Sequence, residues 1–243
     1  MNSIHKYDMG VIGNCSYLAY ISKAGAVNWM CLPRFDSSFL FGSMLDPEKG
    51  GEFSITPVDR DYYTFQSYVK NTNILCTEFI TGDGKFRVTD FAPRFYQYDR
   101  YYRPLMLIRK IELLDGNPFI TVKCEPVGSY GTFRPEIVAG SNHIRYLNFD
   151  TQVRLTTNIP LTYIINNQPF ILNETCYLAF TYGVPLEAPL ESTAEDFLEK
   201  TAKYWLQWIK NTSIPNIFQD EIIRSALVLK LHQFEDTGAI IAS

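Results

Sequence analysis

A cation, an aromatic ring and a carboxylate lie side by side at Arg34, Phe35 and Asp36. Pro33 comes directly before them, and because proline has no backbone N–H, a β-strand that reaches it must leave its sheet there. The three side chains are therefore expected on a loop rooted in a buried strand, where proteins often place ligand contacts. The same residues could instead form a local ion pair or an Asx-turn that stiffens the loop. The sequence leaves both interpretations open.

Metal, nucleophile and phosphate chemistry have weak support in the sequence. The three histidines, His5, His143 and His232, lie far apart, and none has a partner at metal-ligand spacing. The chain lacks a nucleophile-elbow motif and a glycine-rich phosphate loop. We therefore expect no metal site and no cofactor.

Short β-strands dominate the first 190 residues. The pattern predicts three hairpins, formed by residues 15–21 with 26–32, 73–81 with 85–91, and 104–114 with 119–125. Further strands are predicted at residues 52–56, 62–69, 143–149, 152–157, 161–165 and 175–182. Residues 39–45 are expected to form a helical or irregular turn. About a dozen strands at this spacing predict a mainly β fold, an antiparallel β-sandwich.

The apolar period becomes helical near residue 190. Ser192 and Glu195 have the spacing of a capping box, which predicts the start of a helix that ends at residues 211–215. A second helix is predicted at residues 216–233, and its wide apolar arc calls for neighbours on more than one side. We therefore place a sandwich domain at residues 1–190 and a helical segment at 191–243.

Composition limits the partners and the compartment. The net charge of −4 makes nucleic acid a poor partner, and the basic residues between 100 and 103 are expected at a solvated strand edge. No apolar run is long enough to cross a membrane, and residues 1–10 lack the apolar core of a signal peptide. The five cysteines form no CxxC pair and mostly lie in apolar runs, which predicts buried free thiols and a cytoplasmic location.

Four separated segments form a recognisable pattern. They are AYISKAGAVNWMCLPRFDSS at residues 19–38, with LDP and GG shortly after it, YVKNTNILCTEF at 68–79, VTDFAPR at 88–94, and RSALVLKL at 224–231 with TGAIIA at 237–242. In this order they resemble the amino-terminal region of bacterial and archaeal glycoside hydrolase family 15 proteins, the glucoamylase-like and trehalase-like enzymes.

The resemblance implies a particular architecture. In that family a β-sandwich of the supersandwich type precedes an (α/α)6 barrel, and the barrel holds the two catalytic glutamates. Residues 191–243 would then be a linker helix and the first helix of the barrel, so that the chain ends just inside the catalytic domain. The resemblance therefore implies that this chain by itself is inactive.

The resemblance also implies an inverting mechanism, in which one carboxylic acid protonates the leaving oxygen and a second carboxylate activates water. The carboxylates considered for such work are Asp36, Asp46, Asp90 and Glu136. We expect Asp46 and Asp90 to cap turns or to pair with nearby arginines, such as Arg87 or Arg94. Glu136 is expected on the surface. We therefore assign no catalytic acid or base within the chain.

An α-glucoside or oligosaccharide is the substrate that the resemblance implies. Arg34 or Asp36 could bond the hydroxyl groups of a sugar while Phe35 or Trp29 stacks on its ring face. Trp29 by itself, inside an apolar strand, also fits the core, and Trp205 and Trp208 fit packing against the sandwich.

Two functions from different classes remain open. The first is an amino-terminal domain of a glucoamylase-like or trehalase-like hydrolase that supports the barrel and lends a loop to the active-site rim. The second is a free-standing carbohydrate-binding or structural assembly module. In either case, we expect the apolar face of the second helix to make the isolated chain self-associate.

Overall fold

The computed structural model describes residues 8–241. The strands are β1 Met9–Gly13, β2 Leu18–Ser22, β3 Val27–Cys31, β4 Phe39–Phe41, β5 Glu52–Pro57, β6 Tyr63–Tyr68, β7 Leu75–Ile80, β8 Gly84–Phe91, β9 Phe95–Gln97, β10 Arg100–Tyr102, β11 Met106–Gly116, β12 Phe119–Glu125, β13 Ile137–Ala139, β14 His143–Tyr146, β15 Val153–Thr157, β16 Phe170–Ile171 and β17 Cys176–Tyr182. The helices are α1 Leu161–Ile165, α2 Leu190–Lys210 and α3 Gln219–Leu231, and a 3-10 turn covers Ser129–Gly131. The order confirms a mainly β chain followed by helices.

Two layers of antiparallel sheet enclose the main core. One layer is an eight-stranded sheet with the order β13-β14-β15-β17-β11-β8-β7-β6. The other layer consists of a four-stranded sheet, β1-β2-β3-β4, and a three-stranded sheet, β16-β12-β5, joined by a bridge between Ala26 and Ser54. Alternate side chains of both layers meet in one apolar cluster, as period-two alternation requires in a sandwich. The predicted β-sandwich is confirmed.

A buried ion pair joins the two layers. Asp90 on β8 and Arg109 on β11 are directly paired across neighbouring strands, and both are fully buried. The Arg109 Nε donates to Asp90 at 2.7 Å, and its other nitrogens donate to the carbonyls of Phe53 and Gly25 in the opposite layer at 3.0 and 2.8 Å. The expectation that Asp90 pairs with an arginine is confirmed, but the partner is Arg109 and not Arg87 or Arg94, because Asp90 faces inward.

The helices α2 and α3 cover the outside of the sandwich. The first half of α2 packs on the outer face of the eight-stranded sheet through residues such as Leu190 and Ala194. Its second half, including the fully buried Trp205, packs with α3 against the outer face of β1 and β2. Leu227 of α3 is buried in this contact, whereas Leu229 is 58% exposed. One face of α3 is therefore packed and another is open.

Three of the predicted strand and turn elements are wrong. The third predicted hairpin is absent, because β11 joins the eight-stranded sheet while β12 pairs with β5 in the opposite layer. Leu161–Ile165 forms the short helix α1 rather than a strand. In the turn predicted at residues 39–45, Phe39–Phe41 is instead the strand β4, paired with β3, and only residues 43–45 form a turn.

The predicted helix starts are also displaced. α2 begins at Leu190, after Pro189, and its start has no side-chain cap. Ser192 and Glu195 therefore lie inside the helix, and Glu195 instead accepts hydrogen bonds from Tyr177 and Lys110, both at 2.6 Å. The capping-box prediction is wrong because the helix begins directly after Pro189, two residues before Ser192. Proline is itself common at helix starts. α3 begins at Gln219, three residues later than predicted.

The five cysteines are free thiols, four of them buried and Cys76 partly so. None of the helices among residues 8–241 is both long and apolar enough to cross a membrane.

Candidate functional site

The loop of residues 33–38, called the rim loop below, connects β3 to β4 and is anchored by a strand at each end. A turn closes it, since the Ser37 N–H donates to the Arg34 carbonyl at 3.2 Å and the Arg34 N–H donates to the Ser37 hydroxyl at 3.2 Å. The Ser38 hydroxyl accepts a 2.7 Å bond from the Tyr130 N–H. Bonds within its own backbone and to a neighbouring turn therefore contribute to the order of the rim loop.

Arg34 and Asp36 form an ion pair on the surface of the rim loop. The Arg34 Nη2 lies 3.1 Å from the Asp36 carboxylate, and the two side chains are 59% and 70% exposed. An exposed pair of this kind contributes about 0–1 kcal/mol to stability. Both charged groups therefore remain accessible to a ligand at little energetic cost.

Phe35 is half-buried against the chain that follows α3. Its ring meets the Phe234 ring edge-on, with the centroids 5.8 Å apart. The Arg34 guanidinium lies over the same Phe234 ring, 5.4 Å from the centroid. Phe234 was not among the residues singled out from the sequence, because no local pattern links positions 200 residues apart.

Trp29 lies apart from this group. It is half-buried on β3 and packs against Phe39, with ring centroids 5.6 Å apart, in a small cluster that includes Cys31 and Val127. The structure thus brings Arg34, Phe35 and Asp36 together and places Trp29 in a separate cluster.

The thiol at the root of the rim loop is not a nucleophile at neutral pH. Burial, with a smaller contribution from the negative charge of Asp36, raises the pKa of Cys31 to about 11. Only the thiolate attacks carbon or binds a metal, so Cys31 stays inert in its protonated form.

A cavity of about 170 Å³ lies beside the rim loop, lined by residues that include Leu32, Ser38, Phe39 and Tyr182. Ligand pockets in proteins are typically about 300–1,000 Å³. This cavity is below that range, so the rim loop and its surroundings do not form a complete pocket for an oligosaccharide.

The other three carboxylates considered from the sequence lie in surroundings that do not suit acid–base catalysis. The Asp46 carboxylate accepts the backbone N–H groups of Glu48 and Lys49, both at 3.0 Å, and these bonds lower its pKa. The prediction that Asp46 caps a turn is thereby confirmed. Asp90 is bonded to Arg109 inside the core, and Glu136 is exposed on the surface. None of these three carboxylates has the partly buried, unpaired setting of a general acid.

A second group of charges lies next to the rim loop and was missed by sequence reasoning. Arg94 is 1% exposed, and its guanidinium lies between the rings of Tyr101 and Tyr204, 5.0 and 4.8 Å from their centroids. Its Nη2 donates to the Glu235 carboxylate at 2.9 Å. Desolvation opposes ionisation of Glu235, but the positive charges of Arg94 and Lys230 outweigh it and lower the pKa of this carboxyl. Arg103 pairs in the same way with Asp236.

Among residues 8–241, no group of three or more histidine, cysteine or acidic side chains is arranged to hold a metal ion.

Comparison with known proteins shows the family to which the chain belongs. The model of the family described as "Trehalase-like, N-terminal" matches residues 3–160. The chain is 30% identical to "Trehalase" of Thermoplasma volcanium, 31% identical to "Trehalase" of Thermoplasma acidophilum, and 30% identical to "Trehalase 1" of Sulfolobus acidocaldarius. These alignments cover 96%, 92% and 97% of the chain.

The chain spans only 38–39% of the length of these relatives. No solved structure matches it with significance. Because the family model covers more than half of the chain, the family assignment rests on sequence, and the fold described above agrees with it. The chain belongs to the family of trehalase-like N-terminal domains.

Proposed function

We propose that this chain is the amino-terminal β-sandwich domain of a trehalase-like α-glucoside hydrolase of glycoside hydrolase family 15. The observation that carries the proposal is the match of the family model to residues 3–160, together with relatives that are named as trehalases. Trehalose is then the first substrate to test, and maltooligosaccharides are the alternative. The five free thiols support work in a reducing compartment such as the cytoplasm.

The proposed division of labour places acid–base catalysis outside these residues. Residues 1–190 form the sandwich domain, and residues 191–243 form a linker helix and the first helix of the catalytic barrel. Inverting hydrolysis needs two carboxyl groups about 6.5–9.5 Å apart with a water between them. The surroundings of Asp46, Asp90 and Glu136 support the proposal that this pair lies elsewhere in the protein.

The rim loop is the part of this chain that we propose to contact substrate. Arg34 and Asp36 offer charged donors and acceptors to sugar hydroxyl groups, and Phe35 offers an aromatic surface. Their exposure and the weakness of an exposed ion pair support this role, since a sugar can replace the contact at low cost. We do not assign Trp29 a contact with substrate, because it packs against Phe39 in a separate cluster.

The test of the enzymatic function is an assay of the full-length protein against a panel of α-glucosides that includes trehalose and maltooligosaccharides. We expect hydrolysis with inversion of the anomeric configuration, and no hydrolysis by residues 1–243 alone. Turnover by the isolated chain would contradict the division of labour. A full-length protein that binds these sugars without cleaving them would favour a carbohydrate-binding module.

The test of the rim loop compares two exposed ion pairs. We expect Arg34→Ala and Asp36→Ala in the full-length protein to raise KM, with a change in melting temperature no larger than that of the control. The control is Glu199→Ala, which removes a similarly exposed pair with Lys203 on α2. An unchanged KM, or a loss of melting temperature well beyond that of the control, would show that the Arg34–Asp36 pair is structural.

A further inference from the structure

The residues that follow α3 form a closed loop, residues 232–241, called the post-α3 loop below. The Phe234 N–H donates to the Ala239 carbonyl at 2.7 Å, and the Gly238 N–H donates back to the Phe234 carbonyl at 2.8 Å. Gly238 has a φ of +73°, the left-handed conformation that glycine adopts without strain. These bonds fix the position of Phe234 within its own loop.

The sandwich holds this loop from several sides. The Glu235 N–H donates to the Cys15 carbonyl at 2.9 Å, in the connection between β1 and β2. The Glu235 carboxylate pairs with Arg94, which precedes β9, and Asp236 pairs with Arg103, which follows β10, so both ion pairs lie at the same end of the β9–β10 ribbon. The post-α3 loop is therefore bonded to two separate parts of the sandwich.

The burial of Arg94 makes this attachment specific. A guanidinium removed from water carries a large energetic cost unless it has a charged partner. Arg94 has that partner in the Glu235 carboxylate and a further acceptor in the Asn14 carbonyl, each at 2.9 Å, while its buried Nε has no acceptor among the described residues. A displaced post-α3 loop would leave a buried cation without its counter-ion, so the bonded position is strongly favoured.

Phe234 connects the post-α3 loop to the rim loop by contacts with two rim-loop side chains. Its ring contacts Phe35 edge-on and receives the guanidinium of Arg34 over its face. Aromatic pairs and cation–π contacts prefer defined geometries, so both rim-loop side chains take their orientation from the same ring. The exposed ion pair with Asp36 is too weak to set that orientation by itself.

We propose that Phe234 is a positioning residue, which orients Arg34 and Phe35 of the rim loop while Glu235 and Asp236 tie it to Arg94 and Arg103. An effect of Phe234 on sugar binding rests on the proposed function of the rim loop. The positioning of the rim loop by Phe234 is independent of that function, because it concerns only the order of the loop.

The experiment measures hydrogen exchange of the rim loop and steady-state kinetics on the same full-length variants. In Phe234→Leu we expect faster exchange of the peptide that contains Ser37, whose N–H bonds to the Arg34 carbonyl. We expect KM for the α-glucoside to rise by about two- to fivefold, the factor that an exposed cation–π contact is worth, with kcat changed less. Phe234→Tyr keeps the ring and should restore both values.

Two further variants keep the test decisive. Glu235→Gln weakens the attachment without touching the ring, so it should also speed exchange in the rim loop, even if Phe234→Leu does not fold. Ile240→Ala removes an exposed apolar side chain from the same loop and should leave rim-loop exchange unchanged.

Unchanged rim-loop exchange in both Phe234→Leu and Glu235→Gln would overturn the positioning role, whatever happens to activity. Faster exchange with unchanged KM would support the positioning role and overturn the proposed contact between the rim loop and the sugar. Faster exchange with a raised KM supports both.

Discussion

The charged residues of this chain divide into pairs that bind the sandwich together and pairs that leave their charges accessible. Asp90 and Arg109 are fully buried. All three side-chain nitrogens of Arg109 donate to an oxygen, either of Asp90 or of the opposite layer. Arg34 and Asp36 are mostly exposed, and their bond is easily exchanged for one to a ligand. Burial therefore separates the charges that hold the fold together from those that we propose to contact substrate.

The buried pair gives the first prediction. Arg109→Met leaves the Asp90 carboxylate and the carbonyls of Phe53 and Gly25 without their donor, so we expect a loss of about 3–5 kcal/mol in the free energy of unfolding. Urea unfolding of the chain measures it. The matched control is Arg87→Met on β8, which breaks a partly exposed pair with Glu78 and should lose only about 0–1 kcal/mol. Equal losses in the two variants would contradict this account of the layers.

The attachment of the post-α3 loop gives a prediction about pH. The positive charges of Arg94 and Lys230 hold the pKa of Glu235 below its ordinary value of 4.5 in the folded chain. A carboxyl whose pKa is lower when folded contributes stability above its unfolded pKa and loses it as the pH falls through the folded value. We therefore expect the stability difference between the wild type and Glu235→Gln to be constant from neutral pH down to about 5.5 and to shrink below 4.5.

Urea unfolding at a series of pH values measures that difference, and the comparison with Glu235→Gln removes the contribution of the other carboxyl groups. A difference that stays constant down to pH 3 would show that the Arg94–Glu235 bond does not stabilise the fold.

Most of the strands were predictable because each carries its own period-two alternation and is bounded by turn residues. Strand pairing was less predictable, since it depends on which layer a strand joins. The turn after β11 has good hairpin chemistry, but β12 continues into the opposite layer, where β5 is its partner. Leu161–Ile165 is rich in β-branched and aromatic residues, which favour strands, yet its backbone closes into the short helix α1. Local pattern cannot decide between such alternatives because tertiary contacts do.

The candidate site was predictable only in part, for a similar reason. Pro33 marks the end of a strand in the sequence, and the adjacent charges draw attention to the rim loop. The contacts of Phe234 with that loop and of Glu235 with Arg94 join residues more than 100 positions apart. No spacing rule reports such contacts. The sequence features that could have indicated the ion pairs are the two acidic residues after α3 and the arginines directly before β9 and directly after β10.

The attachment of α2 gives the prediction at the level of elements. Trp205 is fully buried where α2, α3 and the sheet of β1 and β2 meet. We expect Trp205→Ala to lower the free energy of unfolding by about 3–5 kcal/mol, because a large buried side chain leaves a cavity. Leu206→Ala, at the next position and 41% exposed, is the control and should stay within about 0.5 kcal/mol of the wild type. Thermal and urea unfolding measure both, and similar losses would show that α2 is not held by this contact.

At the scale of the whole molecule, large apolar residues are exposed at several places, and the region of α3 is one of them. Four large ones lie on α3 or in the residues that flank it, namely Ile217, Phe218, Leu229 and Ile240. The packed face of α3 already covers β1, β2 and the end of α2. The open face is therefore available for contact with a further part of the protein or with a second copy of the chain.

This open face gives the last prediction. Because large exposed apolar surfaces seldom stay solvated, we expect residues 1–243, expressed alone, to form dimers or larger species as their concentration rises. Leu229→Lys places a charge on the open face of α3, where the leucine is 58% exposed, and should shift the chain toward the monomer. Leu45→Lys is the control, since Leu45 is 67% exposed in the turn after β4 and should not affect association. Light scattering across a concentration series measures the mass of each variant. A wild-type chain that stays monomeric at high concentration would contradict the prediction, and equal effects of the two lysines would show that association does not use α3.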